Sequence, residues 1–167
     1  MWYNNEKYVL IDCEKGKDIV NSGDFNIEGR VCETDCIRGY IAEYFIEEFF
    51  LYGKKTTEQY FQNQEGKLES KWVISEKTKL SYTGSAVIAI SETNRYLPSM
   101  SVSDYLYYDR AFELYFVDGE LCEATDLSES IKYWKKVKSD NDSLNFLELR
   151  SEFSGKYLNY EYGANYK

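Results

Sequence analysis

The sequence predicts an α+β fold in which residues 1–167 form a single domain, a mostly antiparallel, twisted β-sheet with one or two helices packed against it. Three observations predict it. Residues 71–91 hold three short runs rich in β-branched and aromatic side chains, separated by polar and glycine-centred turns. Asp118-Gly119 sits between two apolar alternations, the pattern of a two-residue hairpin. Asp126, followed three places on by Glu129 and then by Ile131, Trp134 and Val137, has the start and the apolar stripe of a short helix. A chain of this length buries roughly 70% of the surface its unfolded form exposes, so one core suffices without a disulfide or metal staple.

Taken in order, residues 6–12 (EKYVLID) form a first strand, and the segment after it to Arg30, rich in Gly, Asp and Asn, reads as loop. Between 37 and 52, Ile37, Tyr40, Ile41, Tyr44, Phe45, Phe49 and Tyr52 recur at helical spacing with Glu48 as the one defect, which favours a helix. Gly39 and the density of β-forming side chains keep a strand from Ile41 to Tyr52 as the competing reading. Lys71 to Ser75, Lys79 to Thr83 and Ser85 to Ser91 are consecutive strands. The last of them, apolar without alternation from Ala86 to Ile90, should be covered on both faces and lie centrally. Residues 91–103, with the single proline Pro98, form a connection.

Folding the next stretch at Asp118-Gly119 places Val117 opposite Glu120, Phe116 opposite Leu121, Tyr115 opposite Cys122 and Leu114 opposite Glu123. Phe112, Leu114, Phe116 and Leu121 then share a core face. Glu113, Tyr115, Val117, Glu120 and Cys122 share a half-wet one. In the helix from Asp126 to Lys138, Lys132, Lys135, Lys136 and Lys138 gather toward the C-terminal end, where the macrodipole favours cations. Leu144 to Leu149 and Lys156 to Tyr162 read as two further strands joined through Ser154-Gly155.

The formal charge of -9, from 29 acids against 20 bases, argues against nucleic acid and anionic membranes and favours a basic partner. No basic start leads into an apolar stretch, and no aliphatic run is long enough to span a bilayer, so a cytoplasmic protein is expected. The scatter of Cys13, Cys32, Cys36 and Cys122 fits free thiols in a reducing compartment and lacks the paired spacing of a zinc site. With no histidine, Ser-His and Cys-His nucleophilic pairs are impossible. No phosphate-binding glycine loop occurs. Asp140-Asn141-Asp142 resembles the start of a calcium loop until Leu144 falls on a ligand position, which leaves a polar turn. The sequence therefore assigns no catalytic residue, metal or cofactor.

What remains unusual is tyrosine, 17 of 167 residues. Aromatic strands account for part of this number, and interfaces for the rest, because tyrosine offers a large rigid apolar area with a polar tip. The mixture with acid at Asp104, Tyr105, Tyr107, Tyr108 and Asp109, and again at Tyr160, Glu161 and Tyr162, marks these as the candidate partner-binding residues. Strand alternation puts at least one tyrosine of the first group inside. The reading that follows is a non-catalytic cytoplasmic protein that neutralises a basic protein, such as a nuclease-type toxin, by covering its active site, in the manner of toxin-immunity proteins and antitoxins. The alternatives are a β-rich small-ligand or virion-type structural module and a carboxylate-based enzyme. With 29 acids some carboxylate pair always exists, so the last has no discriminating signal.

Overall fold

Chain reversals come first, because they fix the register of everything else. The protein is seen in a computed structural model that describes residues 1–14, 19–20, 24–26, 41–90, 105–141, 146–160 and 162. The strands are β1 (Trp2–Tyr3), β2 (Glu6–Lys7), β3 (Val9–Cys13), β4 (Ile41–Glu47), β5 (Phe50–Gln62), β6 (Leu68–Ile74), β7 (Thr78–Lys79), β8 (Gly84–Ile90), β9 (Arg110–Val117) and β10 (Glu120–Asp126). Helices α1 (Ser128–Asp140) and α2 (Phe146–Tyr157) follow, and a 3-10 turn at Tyr105–Tyr107 leads into β9.

Three hairpins turn on two residues that both have positive φ: Asn4 and Asn5 (49° and 63°), Glu48 and Phe49 (50° and 68°), Asp118 and Gly119 (49° and 77°). Such turns match the right-handed twist of the strands they join. Asparagine, aspartate and glycine enter this region at little cost. Glutamate and phenylalanine do not.

The strands form one sheet in the order β2-β1-β4-β5-β10-β9-β8-β3, with β6 and β7 also paired to β5. Every pairing is antiparallel except that of β1 with β4. The long β5 holds β4 along one edge and, on the other, β10 at Phe50, β7 at Tyr52 and Gly53, and β6 from Thr56 onward. Tyr44 and Leu51 from β4 and β5 share one core cluster with Ile88, Leu114 and Phe116 from β8 and β9, so the sheet folds over on itself. On the opposite face of β8 and β9, Val87, Ala89 and Ala111 meet Ile131 and Trp134 of α1 and Leu149 and Phe153 of α2. Residues 86 to 89 of β8 are all fully buried, as its unbroken apolar run predicts.

The hairpin at Asp118-Gly119 forms with Val117 opposite Glu120 and Phe116 opposite Leu121. A register shift between Leu121 and Glu123 then sets Tyr115 opposite Glu123 and Leu114 opposite Ala124, one place from the expected partners. Phe112, Leu114, Phe116 and Leu121 do share the core face. Glu113, expected to be half wet, is 2% exposed.

Two expectations are corrected. Within 37–52 the described residues 41–52 are not a helix but the β4–β5 hairpin, while 37–40 lie outside the described residues. Both faces of that hairpin carry aromatic and aliphatic side chains, Tyr44 and Leu51 inward and Phe45 and Tyr52 outward, so alternation is lost and a helical period emerges by coincidence. Where strands are expected at 144–149 and 156–162, residues 146–149 and 156–157 belong to α2, because Leu149 and Phe153, four apart, form a helical stripe against the second core; 144, 145 and 161 lie outside the described residues. The turn expected at Ser154-Gly155 falls inside this helix. Two smaller differences remain. Lys79 closes β7 rather than opening a strand to Thr83, and Asp126 ends β10 while its Oδ1 still accepts the Ser128 N–H at 2.8 Å, capping α1 from one residue upstream.

Candidate interaction surface

The stretch around Tyr107 does not present its polar groups uniformly. Tyr108 is buried at 6% exposure in the second core, and Tyr107 is 49% exposed. An ion pair of 2.7 Å joins Asp109 to Lys135 of α1. The backbone of Tyr105 opens the 3-10 turn, and Asp104 lies outside the described residues. At the C-terminal end, the Tyr160 ring stacks on Tyr115 at 5.4 Å and 7°, and burial together with that neighbour raises its phenol pKa. Tyr162 donates its hydroxyl to Glu113 at 2.6 Å, and Glu161 is outside the described residues. The same carboxylate accepts the Asn159 backbone N–H at 3.1 Å and its side-chain amide at 2.9 Å. Glu113 is therefore a buried anchor that straps the end of α2 to the sheet. Two of the eight candidates are thus tied into the fold by their side chains at Tyr108 and Tyr162, and Asp109 and Tyr160 are engaged by neighbours.

A different place carries exposed aromatic area among acids. The β4–β5 and β9–β10 hairpins overlap at their tips. Phe50 pairs with Glu120, the Phe49 carbonyl accepts the Leu121 N–H at 2.7 Å, and the Gly119 carbonyl accepts the Leu51 N–H at 2.8 Å. Phe49 is 71% exposed there, and Val117 is 44% exposed. Glu48 and Asp118 lie in the two turns and Glu120 opens β10 opposite Phe50; all three are exposed, and none makes an ion pair with a described residue. Glu47 differs, being held by Lys77.

Behind the tip, the outer face of β4 and β5 is aromatic but covered by cations. The Lys79 ammonium lies 3.4 Å from the centre of the Phe50 ring, and that of Lys77 lies 5.2 Å from Tyr52 and 5.7 Å from Phe45. Those lysines cap rings that would otherwise be open. Phe49, one residue from Phe50, has no such cover from any described residue.

Phe49 carries a signal in the sequence itself. An apolar residue at the tip of a hairpin, in a turn whose geometry suits asparagine or glycine, is a local conflict, and such conflicts gather at functional positions. The conflict is visible only once 41–52 is read as a hairpin. Among the described residues no three Cys, Asp or Glu side chains converge as metal ligands, Cys122 is a free thiol, and no helix is long and apolar enough to cross a membrane. Comparison of the chain with protein-family models, with curated proteins and with solved structures returns no match.

Proposed function

We propose that this chain is a non-catalytic, cytoplasmic binding protein that neutralises a basic protein, of the toxin-immunity or antitoxin kind, and that the overlapped hairpin tips are its contact surface. The observation that carries the reading is Phe49: an aromatic side chain 71% exposed, held at φ 68° in an overlap of turns that also contain Glu48, Asp118 and Glu120, on a chain of formal charge -9. A backbone conformation that costs about 1–2 kcal/mol for a side chain of this kind persists where the surroundings impose it. The overlap of the two tips, through the Phe49–Leu121 and Leu51–Gly119 hydrogen bonds, supplies that constraint.

Such a tip suits a cationic cleft. The carboxylates speed encounter through long-range attraction, and the rigid aromatic anchor slows release once seated. Tyr107, also exposed, extends the aromatic repertoire on a separate part of the surface.

The test is growth protection. The product of the gene beside this one, expressed alone, is expected to arrest growth, and co-expression of this chain to relieve the arrest. Phe49→Ala, and Glu48→Lys with Glu120→Lys, should lose protection while the chain still folds. Full protection by both variants, or a neighbour without toxicity, would overturn the proposal.

A further inference from the structure

The β5–β6 ribbon carries a second surface, independent of the hairpin tips. Opposite residues of an antiparallel pair lie on the same face, so Tyr60, Leu68, Trp72 and Ile74 share one face of the ribbon with Ile41 of β4. Their exposures are 45%, 71%, 52%, 65% and 47% respectively. This apolar stripe runs beside an edge that no described residue covers, because among the described residues β6 pairs with β5 alone.

The register identifies which backbone groups are open. Asn63 donates its N–H to the Lys67 carbonyl and Ser75 donates to Lys55, so the hydrogen-bonded pairs of this ladder fall at odd-numbered residues of β6. Leu68, Ser70, Trp72 and Ile74 therefore turn their N–H and C=O groups outward, away from β5. No described residue meets them.

We infer that this edge pairs with the same edge of a second copy of the chain, antiparallel, about a two-fold axis at Ser70. The charges of β6 select that register. With Ser70 opposite Ser70 of the second copy, Glu69 faces Lys71 and Lys71 faces Glu69, while Leu68 faces Trp72 and Trp72 faces Leu68. Both charge pairs fall at the closely spaced, non-hydrogen-bonded positions. The two apolar stripes become one. Moving the axis to Lys71 also pairs outward-facing backbone groups, yet it sets the two lysines against each other. Lys71 makes no ion pair with any described residue, and Glu69 accepts the Asn63 amide through one oxygen only, leaving the other for the partner. In this register residues 68, 70 and 72 exchange about six backbone hydrogen bonds across the axis, and the ribbons join as a four-stranded sheet. β6 has an apolar face and neither proline nor bulge to block pairing, and its two charges are matched in this register.

Sedimentation of the full chain tests the inference. The wild-type protein should show a concentration-dependent dimer. Ser70→Pro should be monomeric and folded, since proline removes an N–H that points outward and spares the bonds to β5; Ser70→Ala should still dimerise, which separates the backbone effect from loss of the hydroxyl. Glu69→Lys should weaken the dimer by roughly tenfold or more, because two symmetric pairs turn from attractive to repulsive. Adding Lys71→Glu should restore it. A monomer at every concentration overturns the inference, as does a dimer insensitive to Ser70→Pro or not restored by the double charge exchange. Occupation of the edge by a strand of another protein, with no self-association, overturns it equally.

Discussion

The helix-covered half of the sheet and the β5–β6 ribbon use similar side chains to opposite ends. In β8 and β9 each face is closed, one by the folded-over β4 and β5 and the other by α1 and α2, and aromatic residues there are absorbed into packing. Tyr8, Tyr44, Tyr82 and Tyr108 are all nearly inaccessible. In the ribbon, Tyr60 and Trp72 stand in solvent on a two-stranded ladder, an arrangement that gains little from burial. The hairpin tip at Phe49 resembles the ribbon in this respect and not the core. The difference teaches that aromatic density alone does not locate a binding surface. The candidate is aromatic area the fold leaves uncovered, above all where the backbone carries strain to keep it so.

The largest effects should follow the closed half. Phe116→Ala or Phe153→Ala, each at 0% exposure, should lower stability by about 3–5 kcal/mol in chemical denaturation. Trp72→Ala, in the ribbon, should change it by less than about 1 kcal/mol. A comparable loss at Trp72 would break the comparison.

Gly119→Val joins the closed half rather than the tip. A Cβ at Gly119 would lie 1.9 Å from the Leu80 carbonyl oxygen, and φ is 77° there, so steric conflict with backbone adds to the strain of the turn. A loss of more than about 2 kcal/mol is expected in the denaturation midpoint, beyond what positive φ alone costs. Glu113→Ala is next, at about 1–3 kcal/mol, because it strands the Asn159 and Tyr162 donors beside the sheet. Its second readout is hydrogen exchange at 158–160, which should quicken if Glu113 is the anchor of that segment.

The smallest effect is a pH dependence that ties the sheet edge to its centre. Arg110 of β9 grips Glu6 of β2 with both guanidinium nitrogens at 2.8 Å, and together with the Tyr8 hydroxyl lowers the carboxyl pKa from 4.5 to about 2. A carboxylate stabilised in the folded state contributes fully above 4.5 and loses its contribution as pH falls toward 2. Arg110→Gln should flatten the melting temperature against pH within that window. The pair is partly exposed, so its effect is modest and salt-sensitive.

Much of the sheet was legible where one signal dominated. Ala86 to Ile90 announced a strand closed on both faces, and Asp118-Gly119 fixed a hairpin for the two residue pairs nearest the turn. Beyond Leu121 the bulge moved the register, since a bulge depends on how β10 leaves the β5 corner and leaves no composition signal of its own. The 41–52 hairpin was obscured by apolar residues on both sheet faces and by a Glu-Phe turn with no turn propensity. α2 was obscured by Leu144, Phe146 and Leu149, whose near-alternation imitates a strand until Phe153 is counted with Leu149. For the candidate site, the sequence points to acid mixed with aromatic side chains, and sequence proximity selects the segments at 104–109 and 160–162. The fold ties Tyr108, Asp109 and Tyr162 to internal partners and uncovers Phe49 instead, through a hairpin overlap between residues about 70 apart that no local pattern encodes.

The central claim is that Phe49 is strained and uncovered for the sake of a partner, and Phe49→Gly separates those properties in one variant. Glycine relieves the positive φ and removes a side chain that contributes little to the core, so the denaturation midpoint should stay level or rise, by about 0.5–1 kcal/mol. Dissociation from the proposed basic partner should quicken by at least about tenfold, as for loss of an aromatic anchor. A variant that is no less stable and releases the partner as slowly as the wild type would contradict the account.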